Sequence, residues 1–185
     1  MSRLHQLGLK YQTDKATYHN FCDDYELFLS PYTINCIVEV GIYRGHSLRM
    51  WSEFYPEAKI IGLDIDTSSL INEYNISSYI ADQNNPEETI LPFVNNNDVD
   101  LFIDDGSHIY SHQINTFNAI FPHLKSKAIY ILEDLHTSLW RKSSYDNTAV
   151  TPLELIKEYV SKNNLKHKLV CLNNEQSISM LIEKD

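Results

Sequence analysis

Short apolar runs that end in acids or glycines alternate along this chain with segments whose hydrophobic residues recur at helical spacing. The first run, Cys36-Ile-Val-Glu39-Val, stops at Gly41, and a helical pattern continues through Tyr55. Lys59-Ile-Ile-Gly-Leu-Asp64 is a second strand and Ser77 to Ala81 a third, followed by a helix over Pro86 to Val94 and a surface turn at Asn95 to Asp98. Asp100-Leu-Phe-Ile-Asp104 leads into a helix from His108 to Phe121, with Ile109, Ile114, Phe117 and Ile120 as its inward side. After the strand Ala128-Ile-Tyr-Ile-Leu, residues 135 to 150 are polar with little periodicity and read as a functional loop. Thr151-Pro152-Leu-Glu154 carries the cap, proline and third-position acid of a helix start, so a helix is predicted over 152–162. Lys168 to Leu172 and Ser177 to Ile182 close the chain as a hairpin. Strands alternating with helices predict a three-layer α/β sandwich.

The polar residues at the strand ends carry the chemistry. Asp104-Asp105-Gly-Ser-His108 follows one apolar strand and Glu133-Asp134 follows the next. In parallel α/β sheets ligands bind outside the carboxyl ends of the strands. If these two strands are neighbours, four carboxylates and an imidazole share one rim. Such a cluster repels itself unless a hard cation or a proton compensates it. Gly41 and Gly45, four apart at a strand-to-helix turn, let a ligand approach backbone N–H groups, although the spacing is neither a Walker A loop nor GxGxxG. Asp64 suits a ribose diol, with Asp66 as the N-cap of a following helix. Asp82 and Gln83 suit an adenine edge or a plain turn. Residues 1 to 30 read as a helical arm, with a short helix from Phe21 to Leu29. Thr13-Asp14-Lys15 lies there in a loop that also suits a lid over a ligand.

Composition narrows the class. The 185 residues are the size of one domain, 43% hydrophobic and 22% charged. A net charge of −10 without a basic cluster argues against nucleic acid. Cys22, Cys36 and Cys171 lie far apart, which suits a reducing cytoplasm, with Cys36 as a small core hydrophobe. Met1 to Lys10 lack an apolar signal core, and no run approaches a membrane span. His112, His123 and His136 read as surface or helix-end residues, with His136 nearest to a substrate. Trp140 and Tyr145 are either packing or a sugar platform.

Together, Glu39-Val-Gly41-Ile-Tyr-Arg-Gly45-His-Ser47, Gly62-Leu-Asp64-Ile-Asp66 and Asp82-Gln83 resemble the cofactor half of class I S-adenosylmethionine-dependent methyltransferases. Phe102-Ile-Asp104-Asp105-Gly-Ser-His108 with Glu133-Asp134-Leu-His136-Thr-Ser-Leu-Trp140, preceded by Thr13-Asp14-Lys15, is similar to the metal-dependent macrocin/mycinamicin-type sugar O-methyltransferases. The resemblance implies a Rossmann-like, mostly parallel seven-stranded sheet with an antiparallel C-terminal hairpin strand. It implies one methyltransferase domain over 1–185, with 1–30 as arm or lid and 31–185 as core; the expected absence of the large N-terminal assembly domain of the macrolide enzymes departs from the family pattern. Glu39, Gly41, Gly45, Ser47, Asp64, Asp82, Gln83 and Asp104 would bind S-adenosyl-L-methionine. Asp105, Glu133 and Asp134 would hold Mg²⁺, and His108 would be the general base. Thr13, Asp14, Lys15, His136 and Trp140 would face the acceptor or form the lid.

The implied reaction is methyl transfer to a sugar hydroxyl of a glycan or glycosylated natural product. Alternatives at this stage are a catechol-like diol as acceptor and a non-catalytic S-adenosylmethionine-binding subunit. The expected partner is the small-molecule or glycan acceptor, not nucleic acid or membrane, and a homodimer is left open.

Overall fold

The computed structural model describes residues 1–172 and 176–185. Its centre is three strands buried along their whole length: β1 (Cys36–Val40), β5 (Leu101–Asp104) and β6 (Ile129–Leu132). Near-continuous apolar runs of this kind suit strands covered on both faces. With β2 (Lys59–Asp64), β3 (Asn72–Glu73), β4 (Ile76–Ile80), β7 (His167–Leu172) and β8 (Ser177–Glu183) they form one sheet in the order β3-β4-β2-β1-β5-β6-β8-β7. Strands β4, β2, β1, β5 and β6 run parallel, while β8 is antiparallel to β6 and to β7. The residues joining β7 and β8, 173–175, lie outside the described residues. The eighth strand, beyond the seven expected, is the two-residue β3, antiparallel to β4. Both its residues are exposed, so it has no hydrophobic signature, and the Ser78 hydroxyl stitches its approach by bonding the Ile71 N–H and C=O.

Helices α1 (Arg3–Tyr11), α3 (Cys22–Leu29) and α4 (His46–Phe54) cover one face. There Leu4, Tyr25 and Trp51 pack on Ile37, Ile103 and Ile131. On the other face Phe117 and Ile120 of α7 (Tyr110–Ile120) and Ile156 of α8 (Pro152–Lys162) pack on Val38, Phe102 and Tyr130. Thr151 and Glu154 form the predicted reciprocal cap of α8. No helix among the described residues is long and apolar enough to cross a membrane.

Several local expectations are corrected. The helix expected over Pro86–Val94 is two short ones, α5 (Pro86–Thr89) and α6 (Leu91–Asn95), because Pro92 has no N–H to continue the first. Helix α7 starts at Tyr110 rather than His108, since His108 has φ 59° and cannot be helical. Its buried face is Tyr110, Gln113, Thr116, Phe117 and Ile120, and Ile109 and Ile114 are only half-buried. Gln113 faces inward because its amide donates to the Glu133 carbonyl. Thr13-Asp14-Lys15 is not a loop: Thr13 precedes α2 (Asp14–Thr17), and Lys15 is fully buried.

Candidate active site

Strand β1 lies between β2 and β5, where the strand order reverses, and the crevice opens at the carboxyl ends of these strands. The two acid-tipped strands are parallel neighbours, with Asp104 opposite Leu132. Their acids therefore share a rim, and one compensating charge comes from the chain itself. The Lys15 ammonium sits 2.5 Å from Asp105, 3.1 Å from Glu133 and 3.4 Å from Glu39. Burial works to lower the Lys15 pKa, but the three carboxylates together raise it well above its usual value. Burial in turn raises Asp105 and Glu39, and raises Glu133 furthest, against the opposing pull of the lysine. One ammonium leaves the cluster short of positive charge.

Asp134 has a different environment. It adopts φ 55° at the start of a 3₁₀ turn, Leu135–Leu139. Three imidazoles surround its carboxylate: His108 at 3.3 Å, His19 at 3.6 Å and His136 at 3.7 Å. His19 is fixed by a 2.8 Å contact with Ser177 and by stacking on Phe21. His136, expected at the surface or at a helix end, is buried in that 3₁₀ turn, and burial lowers its pKa while Asp134 opposes the shift. Helix α7 holds this loop through the Gln113 amide and through Tyr110, whose hydroxyl donates to the Thr137 carbonyl.

Asp105, His108 and Asp134 each offer one ligand atom, all within 4.8 Å of one another. Asp134 Oδ1 and His108 Nδ1 are buried without a hydrogen bond. Two carboxylates, one of them with an unsatisfied oxygen, and one nitrogen fit a divalent cation. Glu133 stands beside this group with Oε1 turned to Lys15.

A cavity of about 570 Å³ adjoins the cluster, a size typical of small-molecule sites. Among the predicted cofactor residues, Gly41, Ser47, Asp64, Asp82 and Gln83 line it, as do Thr13, Asp14, Asp105, His108 and Asp134. Gly41 has φ 84°, and a Cβ there would lie 2.0 Å from the Asp105 carbonyl oxygen, so glycine lets β1 and β5 converge. Asp64 Oδ2 accepts the N–H groups of Ile42 and Tyr43, both at 3.0 Å, and orders the turn after Gly41. Gly45, at φ 70°, precedes the first residue of α4. Asp66 caps its turn by accepting the Ser68 N–H.

Glu39 and Asp104 are fully buried and stand behind the cavity wall. Asp104 accepts hydrogen bonds from Tyr130 at 2.9 Å and Gln83 at 2.6 Å, and burial pushes its carboxyl up to about 6 despite them. Gln83 also accepts the Ser107 N–H, so it clamps the turn before His108. Trp140 is 47% exposed and lies outside the cavity, packed edge-on against His136 and tilted towards Tyr145.

Sequence reasoning placed the acids and singled out Lys15 through the Thr13-Asp14-Lys15 segment, but as a lid or acceptor-facing residue rather than as the buried counter-ion of the acids. His19 carries no periodic or motif signal. The surplus of acids demanded a cation and left its source open.

Residues 38–135 match the profile of a family described as a methyltransferase domain. The demethylmacrocin O-methyltransferase of Streptomyces fradiae is 33% identical over 89% of this chain and 45% of its own length. An 8-demethyl-8-alpha-L-rhamnosyl tetracenomycin-C 2'-O-methyltransferase of Streptomyces olivaceus is 31% identical over 83% of this chain and 44% of its own. The chain thus spans under half the length of these curated relatives. Among solved structures, the MycE methyltransferase of the mycinamycin biosynthetic pathway, in complex with Mg, SAH and mycinamycin VI, superposes with a TM-score of 0.80 at 29% identity. That match covers 99% of this chain and 54% of MycE.

Proposed function

The chain belongs to the methyltransferase-domain family, and from that premise we propose that it is an S-adenosylmethionine- and Mg²⁺-dependent O-methyltransferase acting on a sugar hydroxyl of a glycan or glycosylated natural product. The observation that carries this reading is the Asp105, His108 and Asp134 group, set on the wall of a cavity that the Gly41 turn and Asp64 also line. Relatives named as sugar O-methyltransferases, and MycE solved with Mg and SAH, support it.

When bound, the divalent ion would lower the proton affinity of a coordinated hydroxyl, and S-adenosylmethionine would supply the methyl group. Asp105 and Asp134, with neighbouring Glu133, supply the carboxylates that hold the ion and orient the acceptor. The Gly41 turn, Ser47 and Asp64 hold the amino-acid and ribose parts of the cofactor, and Asp82 and Gln83 its adenine. Glu39 and Asp104 support this wall from behind. His108 takes the acceptor proton, and the Asp134 carboxylate 3.3 Å away stabilises the resulting imidazolium. Placing both reactants against one rigid rim supplies the orientation that in-line methyl transfer needs. Thr13, Asp14, His136 and Trp140 border the acceptor side, and a single domain over 1–185 belongs to the same reading.

The acidic chain is expected to avoid nucleic acid, and its unpaired Cys22, Cys36 and Cys171 suit the cytoplasm. A homodimer, if formed, will appear as a doubled mass in sedimentation.

The test uses His108→Ala with metal binding and turnover measured separately. A general base predicts at least about 100-fold lower kcat with Mn²⁺ and S-adenosylhomocysteine affinities within about threefold. Unchanged kcat removes His108 from proton transfer, and loss of Mn²⁺ affinity reassigns it as a ligand. Turnover of rhamnosides that survives chelator would end the metal-dependent reading.

A further inference from the structure

The carboxylates divide by the cations they face. Lys15 meets Glu39, Asp105 and Glu133, which stand on or just after β1, β5 and β6. Asp134 is not among its ion-pair partners and faces histidines instead. The carboxylates suited to a divalent ion are Asp105 and Asp134, gathered beside His108 with one donor atom each within 4.8 Å of one another. Asp105 belongs to both sets and Glu133 stands beside the second, so the rim has two adjacent cation positions joined through these two carboxylates. One is already filled, because the Lys15 ammonium is sealed from water and its nearest charged neighbours are acids.

We propose that Lys15 is a positioning residue that permanently fills the first of two cation positions, so that the site recruits one divalent ion rather than two. Glu39 serves the lysine alone, Asp134 serves the ion alone, and Asp105 and Glu133 stand between them. An ammonium suits the inner position because it brings its charge on a covalent tether and never exchanges. It also anchors α2, whose first residue Asp14 and preceding Thr13 line the cavity, so the wall and the ion site are tied together. This inference rests on the metal-dependent reading above.

Mn²⁺ titration of the full chain, read as free-ion signal by electron paramagnetic resonance, tests it. The wild type is expected to bind a single ion. Lys15→Met should gain a second ion, or hold the first about tenfold tighter, because the vacated carboxylates attract what the ammonium repelled. Glu39→Gln should leave Mn²⁺ affinity within about threefold, while Asp134→Asn should weaken it at least about 30-fold. Two ions in the wild type overturn the assignment. So does a folded Lys15→Met with unchanged stoichiometry and affinity, or a Glu39→Gln loss equal to that of Asp134→Asn. If Lys15→Met does not fold, the Glu39 and Asp134 variants decide the matter between them. A wild type that binds no ion overturns the metal-dependent reading itself, and this assignment with it.

Discussion

At Asp104, a carboxylate with no view of the cavity reports the electrostatic cost of the site. Burial raises it from 3.8 to about 6, although Tyr130 and Gln83 both donate to it. The folded chain therefore holds this proton more tightly than the unfolded chain does. Its contribution to stability is complete below pH 3.8 and is lost as pH rises through about 6. For metal-free protein, urea unfolding from about pH 4 to about pH 7 should show a fall of roughly 1–3 kcal/mol that Asp104→Asn lacks. Equal slopes for the two proteins would show that Asp104 does not carry the penalty. At this scale the sequence was half readable. Acids at strand tips announce themselves because a strand must end where its apolar run does. Lys15, His19 and Gln113 are polar residues whose burial is decided by distant partners, and no local pattern records that.

Among the elements, the turn after β1 has the least freedom. Gly41 is left-handed at φ 84°, and the nearest atom to an added methyl would be backbone rather than a mobile side chain. Gly41→Ala should cost about 2–4 kcal/mol and weaken S-adenosylhomocysteine at least about tenfold, read by thermal unfolding and calorimetry. A variant with wild-type melting and binding would mean that β1 and β5 can separate without consequence for the pocket. The elements themselves were legible where periodicity and punctuation agreed. The helix expected over 152–162 is Pro152–Lys162, and the strand expected from Ser77 to Ala81 is Ile76–Ile80. They failed where a single residue overrode the pattern: Pro92 divided one helix, and the left-handed His108 delayed another by two residues.

For the whole molecule, the three-layer sandwich was readable because alternation of strand and helix leaves few other arrangements. The docking of residues 1–30 was not, since it depends on contacts across nearly the full chain length. Ligands that bind only the folded form should stabilise it as a unit. S-adenosylhomocysteine at about 100 times its Kd should add about 2.7 kcal/mol, seen as a raised Tm, and Mg²⁺ a further increment that chelator removes. No rise with either would argue that the cavity and rim bind neither. One further consequence lies in the arm's supports. His19 rests on Ser177 and Tyr25 bonds Ser179, and just past the arm Tyr32 reaches Glu183, all three partners on β8. His19 and Ser177 stand 158 residues apart in sequence. The acid-lined rim is thus closed by two distant parts of the chain, and a substitution on β8 that unseats the arm should displace Lys15 as well.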